Sequence, residues 1–284
     1  MADTLIGLRE ALQAFVEAEQ VQSQRHIKPL HRHLVQRLVI EGGFHPQHIT
    51  PRPPLRIEVT GSGRHRKKIL HFDADQARDG EQTVLGGLKT KDVDVVVSLP
   101  EIGPVLAISV KGTFNAFRNL TNRMEEAAGD CTNLHIAYPA LVYGFLHVMR
   151  ANRVGDVSKP NDVAINADGT IVDSIQRYHD AMARITNRRD LRNDVSRYEA
   201  VALALVNTSG AQVAEVVDIY PLAASPLGFD RFFEALYSMY DLRFVYSAPA
   251  LARKTRRQIW DNDSPVREIA DGVDLILRTG DDES

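Results

Sequence analysis

The chain predicts a mixed α/β fold: one central β-sheet flanked by helices. Three observations carry that expectation. Short valine-rich apolar runs, at Val95–Val97, Val105–Val110 and Val201–Val206, are bounded by turn residues and too short for helices. Leucines and phenylalanines at helical spacing mark the first 40 residues and return after residue 113. The order of segments (helices, strands, one helix, a strand, then more helix and strand) requires helices packed on a sheet.

Taken in order, residues 4–20 carry Leu5, Leu8, Leu12, Phe15 and Val16 on one helical face, with Asp3 or Thr4 placed to cap it. A second helix is expected over 28–41, with Leu30, Leu34, Leu38 and Val39 inward and Gly42-Gly43 as its stop. The four prolines between His45 and Pro54 argue against regular structure there. Leu55–Thr60 and Lys68–Phe72 read as a β-hairpin with residues 61–67 at its tip. A further hairpin joins the strand after Asp94 to the strand ending at Lys111. A helix over 113–129 follows, then a central strand over 140–149, a helix over 171–197, strands at 201–207 and 214–219, and a helix through Phe232–Leu242. The stretch 250–284 reads as a charged tail.

With 284 residues, 44% of them hydrophobic and 25% charged, the chain can bury a sizeable core. Its formal charge of −3 provides no global attraction for nucleic acid, so any such affinity rests on local basic patches. The single cysteine, Cys131, excludes an internal disulfide framework and a cysteine-based zinc site, and fits a reducing cytoplasm. No apolar run approaches the roughly 18 residues of a membrane span, and the N-terminus does not look like a signal peptide.

The most informative segment is Lys91–Gly112. Alternate side chains of a strand share a face, so Ser109 and Lys111 point one way while Ile108 and Val110 point the other. A lysine closing an otherwise buried strand is out of place in a plain core. Asp94, or Asp92 two residues earlier, opens the neighbouring strand beside it. An acid and a lysine so placed suit phosphodiester hydrolysis, which needs a divalent metal, an activated water and stabilisation of developing charge. Mg²⁺ needs only one or two carboxylates, and Mn²⁺ can substitute. Asp94 is then the central ligand, the Val110 carbonyl completes the shell, and Lys111 serves the phosphate and the water. Ser109 is a poor ligand, so a second carboxylate must come from elsewhere. At about 100° per residue, Glu125 falls at the border of the next helix's apolar face and Glu126 in the middle of its polar face, which favours Glu125.

The pattern Asp94…Ser109-Val110-Lys111…Glu125 resembles the PD-(D/E)XK nuclease superfamily, and in particular type II restriction endonucleases. One branch of those enzymes carries Ser-x-Lys and takes its glutamate from the next helix, 14 residues past the lysine, which is the separation of Glu125 from Lys111 here. The resemblance covers roughly residues 30–150. It implies a restriction endonuclease-like fold, with Asp94, Lys111 and Glu125 as catalytic residues and Glu41, on the earlier helix, as a further candidate. The Arg-acidic-Arg motif by which that branch reads its site is replaced here by Phe117-Arg-Asn-Leu-Thr-Asn-Arg123, so the recognition sequence does not transfer.

DNA contacts are expected from two places. The run Arg64, Arg66, Lys67 and Lys68 suits backbone phosphates. The face Thr113, Asn115, Arg118, Asn119, Asn122 and Arg123 suits base edges, because asparagine pairs with adenine and arginine with guanine. Each feature also has a plain reading: solvated acids at a strand start, a lysine whose stem snorkels to water, exposed helix glutamates and ordinary charged surface. The expectation is therefore a Mg²⁺-dependent endonuclease of double-stranded DNA, acting as a homodimer because two strands need two sites. Its core would span 30–150, with 1–29 a helical extension, 151–250 completing the sheet and 251–284 a tail. The alternatives are a non-cleaving DNA-binding protein on the same fold and a non-specific repair or RNA nuclease.

Overall fold

The computed structural model describes residues 4–19, 26–114 and 120–280. In chain order its elements are α1 (Leu8–Glu17), α2 (Lys28–Ile40), β1 (Ile49–Thr50), β2 (Leu55–Thr60), β3 (Lys67–Phe72), β4 (Gln82–Leu85), β5 (Thr90–Val93), β6 (Val95–Leu99), β7 (Gly103–Thr113), α3 (Leu120–Ala137), β8 (Val142–Arg150), α4 (Asp173–Ala183), β9 (Ala200–Val206), α5 (Phe229–Tyr240), α6 (Ala252–Thr255) and α7 (Val266–Asp271).

Five strands form the main sheet in the order β1-β6-β7-β8-β9. β1, β6 and β7 pair antiparallel, whereas β7, β8 and β9 run parallel. Parallel neighbours need crossover connections, and α3 and α4 lie in them. The molecule is thus the mixed α/β structure that the sequence predicts. Period-2 alternation along β7 divides the core into two layers. Ile108 and Val110 join Leu34, Leu38, Phe232 and Trp260 on the α1, α2 and α5 side. Ala107 joins Cys131, Leu134, Tyr143 and Tyr178 on the α3 and α4 side, the face that also carries Ser109 and Lys111. β9, Ala-Val-Ala-Leu-Ala-Leu-Val, is buried along its whole length, as a strand covered on both faces must be.

Helix α2 positions the site. Pro29 stands in its first turn, where a missing N–H costs nothing. It ends where Gly43, at φ +67°, turns the chain, while Phe44 N–H donates to the Leu38 carbonyl at 3.1 Å. Its Leu30, Leu34 and Leu38 are fully buried.

Several expectations need correction. The proline-rich segment contains β1, because Ile49 and Thr50 supply an edge strand between prolines. β4 and β5 form a small hairpin that the Gly86-Gly87 pair could have signalled. Helix within 171–197 is confined to α4, and 214–219 contributes only a single bridge, Val216 to Val206. α3 is described from Leu120 and runs on to Ala137, beyond the expected end at 129. The stretch from 251 is no tail: Trp260, Val266, Ala270, Leu275 and Leu277 are buried in the same layer as α2. Nor is the N-terminal segment peripheral, since Leu5, Leu12 and Phe15 are buried in that layer.

Candidate active site

β7 outruns β6. The register pairs Val95 with Ile108, so β6 ends there while β7 continues to Thr113. The N–H groups of β7 beyond that point need another partner on the open side. Asp94, at the break between β5 and β6, supplies it. Its Oδ2 accepts the Val110 N–H at 2.7 Å and the Ser109 hydroxyl at 3.3 Å. The Val110 carbonyl leaves the strand on the same side as its N–H. The expected neighbours are therefore brought together, with Ser109 anchoring Asp94.

The other carboxylate oxygen, Asp94 Oδ1, faces His31 Nε2 of α2 at 3.7 Å. His31 is 4% exposed, and its Nε2 has no hydrogen-bond partner. Burial holds its pKa below the usual histidine value, against the pull of Asp94 and with the help of Lys28, His26 and Lys111. The imidazole is therefore neutral at neutral pH. Beside it lies a pocket of about 210 Å³ lined by Lys28, His31, Arg32, Pro51, Asp79, Gly80 and Glu81. Burial, and then the charges of Asp94 and Asp92, push the Glu81 carboxyl above its ordinary value, opposed by Lys111 and Lys28. Glu81 is thus an acid of the same electrostatic group, and no periodicity or motif in the sequence pointed to it.

Lys111 points towards α3, as its place on β7 requires. Its Nζ lies 3.4 Å from Glu126 Oε1, and Arg123 reaches the other oxygen of Glu126 at 3.3 Å. Burial would raise the Glu126 carboxyl, but Lys111 and Arg123 outweigh it and hold it below the usual carboxylate range. Both Glu125 and Glu126 are exposed on α3, and the one that reaches the lysine is Glu126, the neighbour of the expected Glu125. α3 lays its polar flank over the end of the sheet, so the polar-face position is the one that meets Lys111.

Other expected residues lie elsewhere. Glu41 is at the far end of α2, bound to Arg37 at 2.5 Å and to the Ile276 N–H at 3.3 Å. Asp92 takes the Thr83 hydroxyl at 2.5 Å at the small hairpin. Thr113 is buried against His147 at 3.2 Å, so it does not face a ligand. Asn122 is exposed and Arg123 is tied to Glu126. Asn115, Arg118, Asn119 and the side chain of Arg64 lie outside the described residues. Arg188 is fully buried and pairs with Glu199 at 3.1 Å.

The hairpin β2–β3 meets the C-terminal segment in an open groove of about 700 Å³ whose basic lining residues are Arg66, Lys67, Lys68, Arg253, Arg256 and Arg257. Lys67 is neutralised by Asp261 at 3.2 Å and Asp263 at 2.8 Å, Lys68 donates to Gln258, and Arg257 pairs with Asp241 at 2.6 Å. The groove adjoins the end of α2, where Gln258 N–H donates to the Gly43 carbonyl. From His31 to the end of the helix at Ile40 the axis covers about 14 Å.

Among the described residues, no three His, Cys, Asp or Glu side chains form a ready-made metal cluster. A divalent ion that keeps several waters needs fewer protein donors. Asp94 Oδ1, the Val110 carbonyl and the orphaned His31 nitrogen fit that demand. Among the described residues, no helix is long and apolar enough to cross a membrane. Comparison of the chain with known protein families, curated proteins and solved structures finds no match.

Proposed function

We propose that the protein is a metal-dependent endonuclease of double-stranded DNA, of the PD-(D/E)XK kind that its strand pair resembles. One observation carries this reading: Asp94, at the break before β6, is bound to Val110 of β7 next to Lys111, and the lysine pairs with Glu126 of the following helix. A Mg²⁺ or Mn²⁺ ion held by Asp94 and the Val110 carbonyl would supply Lewis-acid stabilisation and a more acidic water. Ser109 and the Val110 N–H fix the Asp94 carboxylate in one orientation. Glu126 and Arg123 hold Lys111 at the mouth of the site, where its ammonium meets a phosphate oxygen. Glu81, with its raised pKa, can hold a proton for a leaving oxygen or stay ionised beside a cation. A homodimer would present two such sites to the two strands.

A second reading, a DNA-binding protein that does not cleave, is favoured by one feature: Ser109 stands where a further acid would complete the cluster. One experiment separates the two. Purified protein is incubated with unmethylated phage-sized DNA and Mg²⁺ or Mn²⁺, beside Asp94→Asn and Lys111→Ala. The expected result is discrete fragments from the wild type and a loss of about 10²-fold or more in either variant, with DNA binding retained. Binding without cleavage under every metal condition would establish the second reading. Cleavage unaffected by either variant would remove this site from the chemistry.

A further inference from the structure

We propose that His31 is a nitrogen ligand of the cation held by Asp94, which makes the site a mixed imidazole–carboxylate centre that prefers Mn²⁺ to Mg²⁺. The inference rests on the nuclease reading above and deepens it.

Four observations converge. First, the His31 ring is almost fully buried, and its Nε2 lacks a hydrogen-bond partner. A buried ring nitrogen left unpaired costs about 1–3 kcal/mol, a cost that a bound ion at this nitrogen would offset. Second, that nitrogen faces Asp94 Oδ1 at 3.7 Å. The separation is too long for a hydrogen bond, but two donors so placed can both reach one ion at bond lengths of about 2.1 Å. Third, Asp94 has committed its other oxygen: Oδ2 is held by Val110 N–H and the Ser109 hydroxyl, so Oδ1 is the oxygen left for an ion. Fourth, the pocket of about 210 Å³ beside His31 leaves room for metal-bound waters, with Glu81 on its wall to bind them. The Nε2 lone pair is available to an ion in the tautomer that carries its proton on Nδ1.

An imidazole changes which ion wins. Mg²⁺ takes oxygen donors almost exclusively, whereas imidazole suits first-row transition metals, among which Mn²⁺ is the one that also tolerates carboxylate, carbonyl and water. Replacing one oxygen donor by His31 Nε2 therefore moves the preference towards Mn²⁺.

The test uses the full-length, metal-stripped protein. Mn²⁺ and Mg²⁺ binding are measured by calorimetry for the wild type, His31→Gln and Asp94→Asn, and bound Mn²⁺ is probed by pulsed electron paramagnetic resonance for coupling to ¹⁴N. The wild type should bind Mn²⁺ at least about tenfold more tightly than Mg²⁺ and show imidazole nitrogen coupling. His31→Gln should lose that coupling and about tenfold of Mn²⁺ affinity while Mg²⁺ binding changes little. Asp94→Asn should lose both ions. Mn²⁺ bound at Asp94 without nitrogen coupling in the wild type would overturn the role of His31 and leave the nuclease reading standing; that measurement needs no variant to fold. Binding of neither ion by the wild type, or binding indifferent to Asp94→Asn, would overturn both.

Discussion

At the scale of single residues, the proposed nuclease reading turns on one position along α3. Both glutamates are exposed, but only Glu126 pairs with Lys111, so on that reading the two should behave differently. Glu126→Gln is expected to lower cleavage by about 10- to 100-fold through a displaced Lys111, whereas Glu125→Gln should stay within about twofold of the wild type. Cleavage rates at saturating metal decide it, and a reversed order would restore Glu125 to the site. The buried histidines set a second expectation. Burial pulls His33 down to about 4 and His147 to about 3, the latter helped by Arg123 and Lys111. In the unfolded chain both take a proton near pH 6.5. Between these values the unfolded state binds more protons, so their contribution is complete above pH 6.5 and is lost as pH falls towards 4 and then 3. Urea unfolding at pH 7.5 and 4.5 should differ by roughly 2.5 kcal/mol per histidine. Equal stability at the two pH values would mean that one or both rings already carry a proton in the folded protein.

At the scale of elements, the site exists because β7 is longer than β6 and α2 crosses beneath their ends. Gly112 shows how tightly this corner is packed: a Cβ there would lie 2.8 Å from a ring carbon of Phe15 and 3.3 Å from His26. No side chain fits at that point of β7 without moving α1. The groove between the β2–β3 hairpin and the C-terminal segment is a different kind of element contact. Arg66, Arg253 and Arg256 line it beyond the end of α2, which lies about 14 Å along the axis from His31; on the proposed reading this suits phosphates flanking the cleaved bond rather than that bond itself. Arg253→Ala with Arg256→Ala should weaken duplex binding and reduce the slope of log affinity against log salt by about 0.9 for each lost contact. Cleavage at saturating DNA should remain unchanged. An unaltered salt slope would exclude the groove from DNA contact.

At the scale of the whole molecule, segments near both ends, from Leu5 and through Leu277, belong to the core. Trp260, the only tryptophan, is 1% exposed and donates its indole N–H to the Val39 carbonyl at 2.8 Å. Its fluorescence should therefore change at the same denaturant midpoint as far-UV circular dichroism, as one cooperative unit requires. An earlier fluorescence transition would show that the segment after residue 257 comes away first.

Much of this was legible in the sequence. The valine runs, the leucine spacing of α2 and the alternation Ile108-Ser109-Val110-Lys111 are local signals, governed by the periods of strand and helix, and they placed Asp94 beside Val110 and turned Lys111 away from the α2 layer. The hairpin β2–β3 was equally plain. What the sequence could not express is which distant segments close on those elements. Glu81, His31 and Glu126 reach the end of the sheet from a loop, from α2 and from α3, and only the crossing of the layers sets their distances. The tail that proved to be core follows the same logic: Trp260 and Leu277 sit among charged residues in sequence, and only tertiary packing shows that they cover the end of α2.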